Sequence, residues 1–376
     1  MIKIFVTGDN HIGKKYSNHP NKKALIEARI SAFDGMVRVA NSEECNLFVI
    51  TGDLFESTSG INKKDVKAII EKLSSFNGTV AVLPGNHDYF AEGVKVWQDF
   101  CEIVKTKDNI TLLSDFKPYE LTVDDEEVVL YPALCKSKHS NPGENNLGWI
   151  KKLNIVPDST YRIGIAHGAV EGESMDSEGA YFLMSRKELE DIPVDVWLIG
   201  HTHVPFPRSL EVDDYTSAGK IFNAGTHVQT DEACYTEGYC FIITIDNKKN
   251  VRAKKVISGG LRFYNKKITL KGGEMQDILQ RELAPLGDNS VVELELSGAV
   301  TAEEYEDRRS IIENLLKRFL EGNFNDTDLV RILSEKTINA EFSETSFSAK
   351  LLTELIADQK EAQLMYDLLK SLKGGK

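Results

Sequence analysis

Five apolar runs in this chain each stop at a glycine-flanked polar residue, and that recurrence restricts the fold more than any other feature. "KIFVTGDNH" ends in Gly8-Asp9-Asn10-His11, "LFVITGDLF" in Gly52-Asp53, and "VAVLPGNHD" in Gly85-Asn86-His87-Asp88. "RIGIAHG" ends in His167-Gly168, and "VWLIGHTH" in Gly200-His201-Thr202-His203. Short apolar runs bounded by turn residues read as buried strands. In open α/β sheets the ligand crevice lies outside the carboxyl ends of the strands. If these strands are parallel neighbours, their polar ends converge on one pocket.

The donors at those ends are imidazoles, carboxylates and one amide. Oxygen ligands mixed with imidazole suit manganese, iron or zinc. There are more of them than one ion needs. Two ions sharing a bridging carboxylate would use the full set; such pairs sit about 3.5–4 Å apart and clamp the attacking and leaving oxygens of a phosphoryl displacement. Asp53 stands alone at its strand end and is the natural bridge. Asp9 and His11 lie two apart, as do His201 and His203, so an extended backbone points each pair the same way. A single Gly-Asp is usually only a turn, and a single strand-end histidine usually only a structural hydrogen bond. The metal reading rests on joint occurrence, since five of the eight histidines fall in these motifs. His19, His139 and His227 lack that context, although His227 follows "IFNAGT" and can approach the site.

Around the motifs, residues 1–258 alternate strands with helices, the helices being expected at 22–42, 63–77 and 93–105. The first two fall between strands, as crossovers do. Strand candidates continue at Val128–Tyr131, Ile221–Asn223 and Tyr239–Ile245, which suggests a mixed sheet or two stacked sheets. Composition shifts after "SGGLRF". Residues 264–333 read as a small α+β unit, with a long helix opening at Thr301 under a Thr301–Glu304 capping box. Residues 334–347 show no period and read as a linker. The tail, 348–373, carries one stripe of Leu351, Leu352, Leu355 and Ile356, and another that includes Leu364 and Leu368. Helices this short are marginal alone, so their apolar faces are expected to be covered, by the chain itself or by a partner. No apolar run is long enough to span a membrane. Five cysteines without a CxxC pair argue for a reducing compartment, and "MIKIFV" reads as a strand rather than a leader; the expectation is a cytoplasmic protein. The formal net charge of −13 opposes a nucleic-acid partner unless a local basic patch intervenes. "IGKKYSNHPNKK" offers one, with Lys14, Lys15, Tyr16, Lys22 and Lys23.

The ordered set D-x-H, G-D, G-N-H-D, H-G and G-H-T-H resembles the calcineurin-like metallophosphoesterase superfamily over roughly residues 1–230. "GDNHIG", "GDLF" and "PGNHD", with the small unit and helical tail behind them, resemble the SbcD-type nuclease subunits of double-strand-break repair. The resemblance implies a four-layer αββα sandwich, an α+β capping domain that contributes to DNA binding, and a C-terminal helical segment gripping an SbcC-type coiled-coil ATPase. It implies two Mn2+ ions per subunit: Asp9, His11 and His203 on the first, Asn86, His167 and His201 on the second, Asp53 between them. It implies that His87 serves the scissile phosphate or the leaving oxygen. It also implies a homodimer paired through the helices at 63–77 and 93–105, and a DNA nuclease, 3′-to-5′ on duplex ends and endonucleolytic on single strands. Hydrolysis of nucleotides or phosphoproteins is the alternative. Many SbcD-type relatives carry histidine three residues after the bridging aspartate, where this chain has Glu56. In phosphatases of the superfamily a carboxylate at this offset orients the catalytic histidine. The spacing therefore predicts a hydrogen bond from His87 to the Glu56 carboxylate.

Overall fold

Along β1 (Ile2–Thr7) Ile2, Ile4 and Val6 face one way and Phe5 the other, and all are buried. A strand buried on both faces needs a packed layer on each side. In chain order there follow α1 (Lys22–Ser42), β2 (Leu47–Ile50), α2 (Lys63–Leu73), β3 (Thr79–Val82), α3 (Lys95–Val104) and β4 (Ile110–Leu112). Next come β5 (Tyr119–Val123), β6 (Glu126–Ala133), β7 (Tyr161–His167), α4 (Arg186–Asp191) and β8 (Val196–Gly200). Strands β9 (Thr216–Ser217), β10 (Ile221–Phe222), β11 (Tyr239–Ile245) and β12 (Val251–Ile257) complete the first unit, Met1–Leu261. The structure is a computed structural model that describes residues 1–374 apart from 157, 175, 177, 218 and 235.

Two sheets are stacked in this unit. One has the order β4-β3-β2-β1-β11-β12-β9 and the other β10-β8-β7-β6-β5. Strands β1 to β4 are parallel, as are β6, β7, β8 and β10, while β11 runs antiparallel to β1. Ile4, Val6 and Val49 of one sheet pack against Ile163, Ile165 and Leu198 of the other. On the first sheet's outer face Phe5, Phe48 and Val82 meet Phe33 of α1, Ile69 of α2 and Trp97 of α3. On the second sheet's outer face Trp197 and Ile199 meet Leu189 of α4 and Ile150 of a short 3₁₀ turn. The result is the α-β-β-α sandwich. Helices α2 and α3 turn their apolar faces inward, with Val66, Ile69, Ile70, Trp97 and Phe100 all buried.

The second unit begins at Arg262. It contains β13 (Arg262–Lys271), α5 (Met275–Leu283), β14 (Ser290–Val300), α6 (Ala302–Leu316) and β15 (Glu321–Arg331), with the three strands parallel and β14 central. The expected capping box is present: Thr301 accepts from Glu304 N, and Thr301 N donates to the Glu304 carboxylate. Beyond it lie α7 (Glu335–Glu341), α8 (Phe347–Leu355) and α9 (Gln359–Gly374). The stretch expected as an aperiodic linker, 334–347, therefore contains a helix, capped by Ser334 and anchored by buried Ile338. Ile338, Phe342, Leu352, Ala362 and Tyr366 form their own small core. Arg331 on β15 lies over the Tyr366 ring at 3.9 Å and reaches Gln363 at 3.2 Å, which fastens α9 to the sheet. Of the residues expected to contact a partner, Leu352 is fully buried in this core and is structural. Leu351, Leu355 and Ile356 are half-buried, whereas Leu364 and Leu368 are exposed on α9 in line with Leu372.

Candidate metal centre

The carboxyl ends of β1, β2, β3, β7 and β8 meet at one rim of the sandwich. Four of the polar residues there, Asp9, His11, Asp53 and His201, have positive φ values of 48°, 47°, 50° and 104°. That conformation costs an ordinary residue roughly 1–2 kcal/mol, and neighbouring backbone bonds hold it in place. Asp9 N donates to the Gly52 carbonyl at 3.1 Å, and His11 N to the Asp53 carbonyl at 2.9 Å. The flanking glycines supply clearance as well as turns. At Gly52, with φ of +103°, a Cβ would stand 2.2 Å from His167 Nδ1, and at Gly85 it would stand 2.2 Å from Asp53 Oδ1.

All seven residues expected as metal ligands are brought together. His11 Nε2 and His203 Nε2 are 3.0 Å apart. Asn86 Oδ1 lies 2.9 Å from His167 Nε2 and 3.1 Å from His201 Nδ1. Asp53 Oδ2 lies 3.4 Å from His167 Nε2 and 3.9 Å from His11 Nε2, between the two groups as a bridge must. Asp9 Oδ1 is 4.0 Å from His203 Nε2. Ligand atoms of Asp9, His11 and His203 lie within 4.8 Å of one another, and so do those of Asp9, Asp53 and His167. Two nitrogens about 3 Å apart are spaced as ligands standing about 2.1 Å from one ion, so the residues present fit divalent cations. Outer contacts aim the donors. His167 Nδ1–H donates to the Thr51 carbonyl at 2.9 Å, which turns Nε2 toward Asp53 and Asn86. Asn86 Nδ2 donates to the Lys138 carbonyl at 3.4 Å, which turns Oδ1 inward. His201 N donates to both oxygens of Asp9, at 3.0 and 3.1 Å.

Burial and charge set the protonation of these groups. Burial pushes Asp9 up to about 7, with the Asp53 charge adding to it. Burial opposes the charge on His167 too, but the Asp53 carboxylate outweighs it and raises His167 to about 9. Asp53 goes the other way: against burial, the charge of His167 and its hydrogen bond hold the carboxyl well below its usual range. Burial and then the neighbouring His167 lower His201 to about 4, while burial and His11 lower His203 to about 3. Cations arriving here displace protons from Asp9 and His167.

His87 stands at the same rim. Its backbone N–H donates to Asp53 Oδ1 at 2.8 Å, and its Nδ1–H to the backbone carbonyl of Glu56 at 3.1 Å. The expected pairing with the Glu56 side chain is therefore corrected. The Glu56 carboxylate turns to His11, with Oε2 3.1 Å from Nδ1, and the main chain of Glu56 orients His87. Asp88 is structural: it accepts from Phe55 N at 2.9 Å and from Gly85 N at 2.7 Å, closing the turn that carries Asn86 and His87.

Lys15, Lys22 and Lys23 are exposed and Lys14 half-buried, but Tyr16 is buried and accepts from Arg29 at 3.0 Å, so it offers no ledge for a base. His227 is buried behind the site against the Arg29 carbonyl, 3.2 Å away. The sequence reading missed Arg29 and Thr226. The Thr226 hydroxyl donates to the Asp9 carbonyl at 3.0 Å, and Arg29 Nε to the Asn10 carbonyl at 2.6 Å. A signal for Arg29 existed, since it interrupts the otherwise apolar buried stripe Leu25, Phe33, Met36, Val37 and Ala40 of α1.

A four-layer sandwich with carboxylates, imidazoles and an amide gathered at its strand ends defines a metal-dependent hydrolase. Residues 2–205 match the calcineurin-like phosphoesterase family, and the chain belongs to it. Among solved structures it is similar to a dimetal phosphatase from Danio rerio at 9% identity, covering 64% of this chain and 94% of that one with a TM-score of 0.37. It is also similar to a purple acid phosphatase from seeds of yellow lupin (Lupinus luteus) at 12% identity, covering 68% and 53% with a TM-score of 0.36. Among the described residues no helix is long and apolar enough to cross a membrane.

Proposed function

We propose that this chain is the nuclease subunit of a DNA-end-processing complex. It is a two-cation phosphodiesterase that uses manganese, degrades duplex ends from 3′ to 5′ and cuts single strands. It acts in the cytoplasm as a homodimer with a coiled-coil ATPase. The observation that carries the phosphodiesterase reading is His87 held at the rim of a complete donor ring. Cations bound there would supply Lewis acidity at the phosphoryl oxygens and at the attacking water. The chain's own residues do the rest. Asp53, by accepting from His87 N, ties the catalytic histidine to the carboxylate that bridges the two ligand groups. The Glu56 carbonyl accepts from His87 Nδ1–H, which leaves the Nε2 end to serve the phosphate or the departing oxygen. DNA as substrate is supported by the motif resemblance and by exposed Lys15, Lys22 and Lys23 in and after the loop that follows His11. The ATPase partner is supported by Leu364, Leu368 and Leu372, which are exposed on one face of α9.

A second reading, turnover of a small phosphoester, is favoured by the net charge of −13 and by the burial of Tyr16. One assay separates the two. The protein with manganese is offered labelled duplex DNA, a small phosphodiester and a phosphomonoester, with His87→Asn as control. DNA degradation that the variant loses supports the nuclease; monoester turnover alone replaces it with a phosphatase.

A further inference from the structure

Arg29 lies in the middle of α1, is 2% exposed, and forms no ion pair among the described residues. A buried cation without a carboxylate partner is costly unless its hydrogen bonds hold something that matters. Its bonds go to two loops, the connection from β1 to α1 and the one that carries Gln229. Nε donates to the Asn10 carbonyl at 2.6 Å, between the two left-handed residues Asp9 and His11. One terminal nitrogen donates to the Tyr16 hydroxyl at 3.0 Å and to the Gln229 carbonyl at 3.4 Å. Tyr16 is itself left-handed, with φ of 47°. The fork thus ties the Asp9–His11 segment to Tyr16 further along the same connection and to the loop that carries Gln229.

We propose that Arg29 is the positioning residue of one ion site only, the one lined by Asp9, His11 and His203. It makes no hydrogen bond to Asn86, His167 or His201; Asn86 and His167 are aimed by the Lys138 and Thr51 carbonyls, and His201 meets the first site only through its main-chain N–H to Asp9. The role is geometric. A guanidinium charge beside two cations repels them, so if charge were what mattered, removing it would tighten binding. The inference rests on the two-cation reading of the cluster.

The test uses Mn2+ titrations followed by electron paramagnetic resonance and calorimetry in two backgrounds. Asn86→Ala leaves only the Asp9–His11–His203 site, and His11→Gln only the other. Arg29→Met weakens Mn2+ in the first background by roughly 10- to 100-fold, the usual effect of losing an outer partner. In the second background it changes the constant less than about threefold. Tyr16→Phe, which removes one acceptor of the fork and leaves Arg29 in place, shifts the same constant in the same direction by a smaller factor, and guards against a variant that fails to fold. Equal weakening in both backgrounds makes Arg29 a general structural residue and overturns the assignment. So does a tighter first site, which would make its charge the dominant effect. If the unsubstituted chain binds no Mn2+, the two-cation reading itself falls, an outcome distinct from either.

Discussion

Replacing Glu56 with glutamine separates two arrangements that differ by one atom. In the structure the carboxylate contacts His11 Nδ1 at 3.1 Å, while His87 is held by the main-chain carbonyl of the same residue. The substitution keeps the shape and an acceptor oxygen but removes the charge. The approach is one of charge rather than a hydrogen bond, since His11 Nδ1 has no hydrogen-bond partner among the described residues, and with the Glu56 side chain 35% exposed the charge is worth about 0.2–1 kcal/mol. Glu56→Gln therefore weakens the cation held by His11 about two- to fivefold, because an imidazole whose far nitrogen faces a carboxylate is a more basic ligand. It leaves kcat at saturating metal unchanged, because His87 keeps its main-chain acceptor. Manganese titration and the rate at saturating metal read both quantities. A fall in kcat with unchanged metal affinity would refute the assignment and restore the side-chain pairing expected from sequence.

The protonation of Asp9 and His167 fixes how metal binding responds to pH. Asp9 holds a proton below about 7 and His167 below about 9, so a cation displaces both at pH 6 and mainly that of His167 at pH 8. Affinity then rises with pH, by at least about tenfold between those values, and calorimetry in buffers of different ionisation enthalpy shows proton release falling over the same range; a flat response refutes these protonation states. On the tail, Leu364→Glu with Leu368→Glu abolishes association with a coiled-coil ATPase in pull-down and leaves the melting temperature unchanged, whereas Leu352→Ala costs about 2–5 kcal/mol of the second unit's stability. A loss of melting temperature in the double variant would make the exposed stripe structural instead.

What could be read from the sequence follows from how each residue earns its place. Strands β1 and β11 and helix α1 have the bounds expected of them, because uninterrupted apolar runs and one long amphipathic stretch leave few alternatives. Strand β15 was missed. Its segment "EGNFNDTDLVR" is largely polar, with Asn323, Asn325 and Thr327 exposed, so the apolar signal is confined to a few positions. Helix α7 was missed for the same reason, having only Ile338 fully buried. The ligands were legible because glycine and a donor at a strand end is a local pattern. Arg29, Thr226 and the true partner of Glu56 were not, because each depends on which atom meets which across segments far apart in the chain.

The distribution of donors over the two sheets explains why so many lie at one edge. Asp9, His11, Asp53 and Asn86 follow β1, β2 and β3 of one sheet, and His167, His201 and His203 follow β7 and β8 of the other. The apolar layer between the sheets ends at this rim, and beyond it the sheets are joined by polar contacts. His167 donates from one sheet to the Thr51 carbonyl at the edge of the other, and His201 N donates back to Asp9. Two like sheet ends full of lone pairs, brought together and shielded from water, leave carboxylates and imidazoles competing for few protons. Burial raises the titration of Asp9, and against burial the opposite charges of Asp53 and His167 raise that of His167 and lower that of Asp53. Cations bound there would relieve this crowding, with Asp9, His11, Asp53 and Asn86 of one sheet and His167, His201 and His203 of the other as the residues to hold them. The same packing that closes the sandwich thus creates the demand for metal at its open edge, and it leaves His87 there, its ring held by the Glu56 carbonyl and its N–H by Asp53, with a nitrogen to offer a substrate.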